Sequence, residues 1–593
     1  MKKKGLTLVL LGTMIILTWL FISCRVAEEA QQTADLVLTN GVIYTADAAD
    51  TVLEALAVKN GKLIAVGSNT EVQGYIGDNT EVIDLAGKMV LPGFIDSHTH
   101  PPGIALRERY SISLNWTDDK AAKLADIREF IESNPGLNAY FGAGWSVGAF
   151  DGEETTRGPR KEHLDEISPD IPVILRSYDG HSAWVNSKAL EQAGITEDTP
   201  SPEGGIIEKD EATGELWGTL KGAAIQLLPK QEFTAEQLME GMRAFQKFMH
   251  SLGYTGVYNA GWDDRMFDVI KQLEDKGELN MWVRSGAPLD TRKDEPLDSQ
   301  IEQVIQMSQT YDSDLFKVIG AGEVFIDGVV EGGTAKLLEP YEVTAGFGDN
   351  HFGVFSWNDM EALREAIMAL NGEGLQMHFH SIGDRATRET LDALEYALER
   401  VPGDHRNVIT HLQLVSPEDI NRFSELGVIA NVHPWWHLKE PGWWEEVDFH
   451  FLGERAEYEY PLQSFFDAGV MVTISSDYPV TPVPNPLWAI ESGMTRNLNN
   501  AEYYGVEDIT HIDDPTWLLN KGERASLIAL LRGFTINNAY ALFLEEKTGS
   551  IEVGKYADLV VVGEDLFQAD PLSIDGVEIL KTFFRGEVVY SSW

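Results

Sequence analysis

Cysteine is almost absent from this chain of 593 residues, since Cys24 is the only one. Without a second cysteine no internal disulfide can form, so the fold must be stabilised by packing alone. Positive charge is also scarce, because 46 Lys and Arg stand against 94 Asp and Glu, a formal net charge of −48. Such a surface repels phosphate backbones, and we therefore expect no binding of nucleic acid. A saline habitat and a simple need for solubility both remain open as reasons for the acidity.

The first residues have the pattern of a secretory signal. Met-Lys-Lys-Lys precedes a mostly apolar run from Leu6 to Ile22, which predicts export from the cytoplasm. The following Phe21-Ile22-Ser23-Cys24 resembles the lipobox of bacterial lipoproteins. We therefore expect a signal segment at 1–24, lipidation of Cys24, a polar tether at 25–33, and a protein held at the cell surface or the periplasmic side of a membrane. An uncleaved anchor is the alternative, because the run is close to the minimum length of a spanning helix.

Both ends of the remaining chain are rich in β-strand patterns. Asn40-Gly41 and Asn60-Gly61 each stand between apolar strands, which predicts two tight hairpins. A second β-rich piece closes the chain. We therefore predict a small β-sandwich domain that combines residues 34–90 with residues 545–593.

Residues 91–544 alternate short apolar strands with amphipathic helices, which predicts an α/β fold, a (β/α)₈ TIM-like barrel. Residues 102–235 break the alternation and indicate a long insertion after the first strand. The eight predicted strands are Phe94 to His98, Tyr254 to Tyr258, Met281 to Arg284, Glu323 to Ile326, Gln376 to His380, Val408 to His411, Val428 to Val432, and Val472 to Ser476.

Metal-ligating side chains stand at the ends of several of these strands. His98 and His100 are two apart in a strand, so both can turn toward the barrel mouth and bind one metal ion. His380, His411 and Asp477 end the fifth, sixth and eighth strands, at the face where barrel enzymes place their sites. Only 14 of 593 residues are histidine, so this placement indicates a metal centre rather than polar residues that merely close a barrel.

The longer motifs resemble the amidohydrolase superfamily, in particular its YtcJ-like and N-substituted formamide deformylase branch. The resemblance extends from Ala34 to Tyr590. Its marks are PGFIDSHTH at 92–100, Gly144-Trp145, DGHSAWVNS at 179–187, FIDGVVEGGTA at 325–335, HSIGD at 380–384, THLQLVSPEDI at 410–420, SSDYPV at 475–480 and GSIEVGKYADLVV at 549–561.

The resemblance implies one or two divalent metal ions, with zinc expected. It implies that His98 and His100 bind the more buried ion, that His380 and His411 bind the second, and that Asp477 contacts metal and serves as the acid/base. Relatives commonly carry a carbamylated lysine four residues before an Asp-Gly pair, whereas this chain has Glu323 there. A glutamate can bridge two ions, but the metal count stays open. Lys317 is off register, and we interpret it as a solvated or helix-end lysine.

These residues predict a metal-dependent amidohydrolase that cleaves an amide-type C–N bond of a small molecule with metal-activated water. We expect no catalytic cysteine, because Cys24, the only cysteine of the chain, is expected to carry a lipid. Deamination is a weaker alternative, because superfamily deaminases carry a glutamate where this chain has Gly383. Ester or lactone hydrolysis at the same site and a catalytically silent surface binding lipoprotein are further alternatives.

The long insertion offers three candidates for substrate contact: Trp145, Arg176 and His181. For Trp145 and His181 a buried structural role is the alternative. His433, Trp435, Trp436 and His437 follow the seventh strand and form either an aromatic wall at the site or an ordinary packed loop. The oligomeric state is open, with a homodimer as one option.

Overall fold

The structure is a computed structural model that describes residues 33–593 except 116–117, 178–180, 203, 211, 262, 291–294 and 358. The predicted signal segment, Cys24 and residues 25–32 of the tether lie outside these residues. In the part of the chain that is described, we find no helix with the length and apolar character needed to span a membrane.

The (β/α)₈ barrel is confirmed by eight parallel strands that pair in chain order. The strands agree with the predicted ones to within a few residues, except that the fourth begins at Phe316 and leaves Glu323 near its end. Lys317 lies on this strand, where it pairs with Asp312 with its side chain 38% exposed. The barrel strands one to eight are Phe94–Thr99, Tyr254–Asn259, Trp282–Ala287, Phe316–Phe325, Gln376–Ser381, Val408–His411, Ile429–Val432 and Val472–Ile474.

The first and last barrel strands are joined by hydrogen bonds just beyond the eighth strand. The backbone N–H of Asp477 donates to the carbonyl of His98 at 3.0 Å. The N–H of Ser476 donates to Oδ1 of buried Asp96, also at 3.0 Å. These two bonds tie both ends of the sheet together beside the residues predicted to bind metal.

Amphipathic helices follow the barrel strands and present apolar residues to the sheet. Asp384–Leu398 buries Leu391 and Leu394 on one side, for example. Pro417–Leu426 begins with proline, which lacks an N–H at a position that needs none, and ends before Gly427 in the left-handed region. The α-helices of four or more residues in the barrel-containing unit, besides Asn69–Val72, are Leu297–Thr310, Met360–Gly372, Asp384–Leu398, Pro417–Leu426, Phe449–Leu452, Gln463–Asp467, Pro486–Thr495, Ala501–Tyr504, Leu527–Phe534 and Ile536–Ala541.

The two chain ends form a small β-sandwich, as predicted. One sheet has the order Lys62–Gly67, Ala55–Lys59, Leu36–Thr39, Glu81–Asp84. The other has the order Glu587–Ser591, Ile579–Phe584, Leu559–Val562, Met89–Pro92, Val42–Tyr44, Val52–Leu53. Leu38 and Leu56 of the first sheet share one apolar cluster with Val90, Val561 and Phe583 of the second. The sandwich is therefore held by side chains from both ends of the chain.

The prediction of a hairpin at Asn40-Gly41 was wrong, whereas the one at Asn60-Gly61 is correct. At the second site both turn residues have positive φ, 50° and 74°, which suits the twist of paired strands. At the first site only Asn40 has a positive φ, of 56°, and the strands on either side pair in different sheets. The dipeptide there directs the chain from one layer of the sandwich to the other.

The long insertion folds as a second compact unit, made of His100–Gln246 and Asp263–Leu279. It has its own mixed sheet with the order Gly205–Lys209, Leu216–Gly222, Ser182–Val185, Val173–Ser177, Tyr140–Trp145, Ser111–Ser113. Apolar clusters pack against the sheet. The helices in these segments are Ala105–Tyr110, Lys120–Ser133, Glu154–Arg157, Glu162–Asp165, Ser187–Gln192, Ala235–Ser251, which extends past Gln246, and Arg265–Asp275.

A buried carboxyl group beside a half-buried one makes stability depend on pH. Glu491 is 2% exposed, and its Oε2 accepts the N–H of Asp575 at 2.9 Å. Burial, with the charge of Asp575 beside it, raises the pKa of Glu491 from 4.5 to about 9. Between these values the folded chain keeps a proton that the unfolded chain loses, so the free energy of unfolding falls as the pH rises.

We therefore expect Glu491→Gln, which keeps the acceptor oxygen but cannot ionise, to raise the melting temperature at pH 8 by roughly 2–5 °C, on the order of 1–3 kcal/mol. The gain should shrink as the pH is lowered toward 4.5. Thermal unfolding across this pH range checks it, with the exposed Glu587→Gln as control. An equal gain at every pH would show that ionisation of Glu491 has no part in the effect.

Candidate metal centre

Ligand-type side chains from five barrel strand ends meet in one buried cluster. His98 comes from strand one, Glu323 from strand four, His380 from strand five and His411 from strand six. Asp477 follows strand eight. The side chains of the four other residues are at most 6% exposed, and that of Asp477 is 8% exposed. The barrel thus brings together groups that are up to 379 positions apart, counted from His98 to Asp477.

Glu323 lies at the centre of the cluster. Its Oε1 is 2.9 Å from Nδ1 of His380 and 2.8 Å from Nε2 of His411, and its Oε2 is 3.8 Å from Nε2 of His98. Burial by itself raises the pKa of Glu323, but the three histidines outweigh it and hold that pKa well below its ordinary value. Glu323 is therefore a carboxylate, the form that binds metal.

Two overlapping groups of three side chains can each hold a metal ion. One comprises His98, Glu323 and His411, the other His98, His100 and Asp477, and within each group the ligand atoms lie within 4.8 Å of one another. Nε2 of His98 is 3.4 Å from Oδ1 of Asp477. Ligands that share one ion through bonds of about 2.1 Å lie roughly 3–3.5 Å apart. The imidazole and carboxylate donors, their burial and their spacing fit a divalent ion such as zinc.

His433 determines which nitrogen of His411 is available to a metal. Nδ1 of His433 lies 2.8 Å from the carbonyl of Ser475, which can only accept, so this nitrogen carries the proton. Burial holds the pKa of His433 well below its ordinary value, so Nε2 is unprotonated and accepts from Nδ1 of His411 at 2.9 Å. With Nδ1 of His411 engaged by His433, Nε2 is the nitrogen of His411 that would hold a metal ion, and it faces Glu323.

His378 supports His98 in a similar way. Its Nε2 lies 2.9 Å from Nδ1 of His98, and its ring stacks on Tyr258 with centroids 4.7 Å apart. A proton on Nδ1 of His98 that is donated to His378 leaves Nε2 of His98 for the metal. His378 is thus a positioning residue that orients the candidate ligand His98.

The loop that follows His380 is held by Asp327. This buried carboxylate accepts the backbone N–H groups of Ile382 at 3.0 Å, Gly383 at 2.8 Å and Lys336 at 2.8 Å. A side chain at Gly383 is excluded, because a Cβ there would lie 2.0 Å from the carbonyl oxygen of Lys336. Asp327 of the Asp-Gly pair at 327–328 is therefore packed against Gly383 of the Gly-Asp pair at 383–384.

Residues 81–590 match the model of the amidohydrolase family. The chain belongs to the amidohydrolase family. It is 30% identical to Protein LONG AFTER FAR-RED 3 of Arabidopsis thaliana, with 94% of this chain and 92% of the relative covered. It is 27% identical to the putative amidohydrolase YtcJ of Bacillus subtilis (93% and 98% covered) and 26% identical to the N-substituted formamide deformylase of Arthrobacter pascens (94% and 99%).

A solved structure supports the fold. An uncharacterized metal-dependent hydrolase from Pyrococcus furiosus superposes with a TM-score of 0.67 at 24% identity, and the match covers 91% of this chain and 99% of that one. The resemblance inferred from the motifs is therefore confirmed at the level of the family and the barrel.

The candidates for substrate contact in this amidohydrolase lie in the insertion unit. Trp145 is 1% exposed, packs at the edge of Trp184 and donates its Nε1–H to the carbonyl of Leu175 at 2.8 Å. These are the contacts of a core residue, which was the alternative interpretation. Arg176 and His181 instead line a cavity within the same unit.

The residues after barrel strand seven have separate roles. Trp436 stacks near His411 with centroids 6.1 Å apart, as an aromatic wall requires, whereas Trp435 is buried and donates to the carbonyl of Asn485. His437 stacks on Tyr460. The sequence analysis missed His378, and it named His433 only as part of an aromatic wall or a packed loop, not as the partner of His411. The His-x-His spacing of His378 and His380 was a usable signal, since it repeats that of His98 and His100.

The orienting role of His433 leads to a prediction about metal affinity. We expect His433→Phe to weaken metal binding about 10–100-fold, because the ring of His411 loses the acceptor that fixes its tautomer. Chelator competition on the purified protein measures the dissociation constant. The matched control is His437→Phe, since His437 is equally buried and stacks on Tyr460 rather than on a ligand. Equal affinities of both variants and the parent would contradict this role.

Proposed function

We propose that this amidohydrolase cleaves an amide-type carbon–nitrogen bond of a small molecule, with a divalent metal ion, expected to be zinc, and with Asp477 as the acid/base. The observation that carries the proposal is the cluster of His98, Glu323, His380, His411 and Asp477 at the barrel mouth, whose side chains are buried and in contact. The relative from Arthrobacter pascens, named N-substituted formamide deformylase, supports a carbon–nitrogen bond as the target.

The residues of the cluster have different roles in the proposed reaction. When bound, a divalent ion polarises the scissile carbonyl and lowers the pKa of water toward neutrality. Asp477 is held close to His98 by its own N–H, with its Oδ1 3.4 Å from Nε2 of that ligand. From there its carboxylate takes the proton of the attacking water and returns it to the departing nitrogen, which leaves as an amine. Glu323 supplies the negative charge between the histidines.

Deamination is disfavoured by the geometry around Gly383. The superfamily deaminases place a glutamate at the equivalent position, but here the carbonyl of Lys336 occupies the space that any Cβ would need. Hydrolysis of an ester or lactone needs the same groups as amide hydrolysis and stays an alternative. A catalytically silent binding protein would have no need for an acid/base at Asp477.

Export and anchoring through a lipid on Cys24 are a further proposal, supported by the sequence from Met1 to Cys24. Fractionation of cells that express the full chain tests it. We expect the protein in the membrane fraction and the Cys24→Ser variant in the soluble exported fraction or unprocessed. A parent protein that stays in the cytosol would contradict the proposal.

A substrate panel tests the enzymatic proposal. N-formyl and N-acyl amines, the matching esters and lactones, and amino-heterocycles are offered to metal-loaded protein, and the released amine, alcohol or ammonia is quantified. We expect amine release from N-formyl or N-acyl compounds and a metal content of at least one ion per chain. Release of ammonia alone, or full activity of metal-free protein, would contradict the proposal.

A further inference from the structure

A cavity of about 1030 Å³ lies inside the insertion unit, and every residue that lines it belongs to that unit. Its floor is one face of the sheet strands Ser111–Ser113, Tyr140–Trp145 and Val173–Ser177. Residues of the helix Ala105–Tyr110 and of the turn Ala223–Leu227 complete the wall. A volume of this size is typical of sites that hold small organic molecules.

The charge of the cavity wall is opposite to that of the chain. Among the residues that the structure describes, Arg107, Arg176 and Lys230 line it, together with His181, whereas Glu108 is the one acidic residue of the described lining. The whole chain has about two acidic residues for each basic one, 94 against 46. Most of such an acidic surface repels anions. A cavity with a positively charged wall is therefore a place where this protein can bind an anion.

Of the described residues on the sheet floor of the cavity, Arg176 is the charged one. Alternation along its strand turns Ile174 and Arg176 toward the cavity, whereas Leu175 packs in the core on the other face. The cross-strand neighbours of Arg176 are Ala143 and Ala183, which both have small side chains. Partial burial lowers the pKa of Arg176, but an arginine stays cationic at neutral pH.

The rest of the wall is largely apolar. Phe141 and Ile174 stand on the floor, and Ile225 and Leu228 face the cavity from the turn region. A guanidinium fork pairs with a carboxylate through two parallel hydrogen bonds, and apolar walls favour an apolar body on the ligand.

We propose that this cavity binds a small amphipathic monocarboxylate, with the carboxylate on Arg176 and the apolar part against Phe141 and Ile174. The proposal does not depend on the proposed hydrolysis, because binding is measured without turnover. Its failure would leave the metal-centre proposal intact, since that proposal is tested by product release.

Calorimetric titration of the full-length, metal-loaded protein with 4-phenylbutyrate tests the site, with 4-phenylbutanol as the uncharged analogue. We expect the alcohol to bind at least about tenfold more weakly, and Arg176→Gln to weaken binding of the carboxylate by at least about tenfold. Arg176→Lys, which keeps the charge but loses the fork, should show a smaller loss. Arg243→Gln is the matched control, because Arg243 lies in the same unit, pairs with Glu278 and does not line the cavity.

A second variant keeps the test decisive if Arg176→Gln unfolds. Ser113→Phe fills the cavity from an exposed position without changing any charge, so it should also weaken binding, with the melting temperature preserved. Equal affinity for the acid and the alcohol, no binding of either, or undiminished binding by a folded Arg176 or Ser113 variant would overturn the proposal. Undiminished binding by such a variant is also the result expected if the carboxylate bound at the metal centre instead of in this cavity.

Discussion

Replacing Asp477 with asparagine is expected to lower the turnover rate of amide hydrolysis by about 10²–10⁴-fold, the typical contribution of a general acid/base. Asparagine has nearly the same size and can keep the backbone bond between the Asp477 N–H and the His98 carbonyl. It cannot take a proton from water or return one to the departing nitrogen. Steady-state kinetics on the best substrate of the panel, together with metal analysis, measure the effect.

The control for this prediction is Asp312→Asn, the same chemical change at a surface residue that is 57% exposed at its side chain and pairs with Lys317. It should leave the turnover rate unchanged. If Asp477→Asn retained both its metal and its parental turnover rate, Asp477 would not be the acid/base. If the variant lost its metal as well, restoring the metal at high concentration would separate the role as a ligand from the role in proton transfer.

Replacing Glu323 with glutamine is expected to remove most of the bound metal and to reduce activity at least about 100-fold at limiting metal concentration. Oε1 of Glu323 faces nitrogens of both His380 and His411 at less than 3 Å. An amide at this position loses the negative charge that offsets the charge of the ion, and its N–H₂ group is a donor rather than a ligand. Metal content per chain after dialysis, measured beside activity, checks the prediction.

Two further variants serve as comparisons for Glu323→Gln. Glu323→Asp keeps the charge but shortens the reach by one methylene, so it should retain more metal than Glu323→Gln. Glu339→Gln changes an exposed residue and should behave as the parent. Full metal content in Glu323→Gln would show that the histidines and Asp477 suffice, and Glu323 would then have no part in holding an ion.

The positions of the predicted ligands could be inferred from the amino-acid sequence because they depend on local rules. His98, His380 and His411 each lie at or next to the end of an apolar strand, and parallel barrel strands all end at the same face. The alternation of side chains also explains why His98 turns inward. The wrong prediction of a hairpin at Asn40-Gly41 shows the limit of such rules, since the same dipeptide can join two sheets instead of two paired strands.

The support of the ligands could not be inferred in this way. His378 and His433 contact the ligand rings across the barrel, and their roles depend on ring orientation and on the carbonyl of Ser475. Which nitrogen of an imidazole carries the proton is set by such contacts, and nothing within a few residues along the chain encodes it.

The sequence by itself determined the family, the barrel and the strand ends that carry His98, His380, His411 and Asp477, because strand periodicity and motif spacing act over a few neighbouring residues. Only the tertiary structure decided that Glu323 stands between three histidines and that His433 orients His411. It also placed Trp145 in a core and Arg176 in a cavity. The physical reason is that closure of the sheet sets distances between strands that are hundreds of residues apart, and those distances decide which polar groups meet.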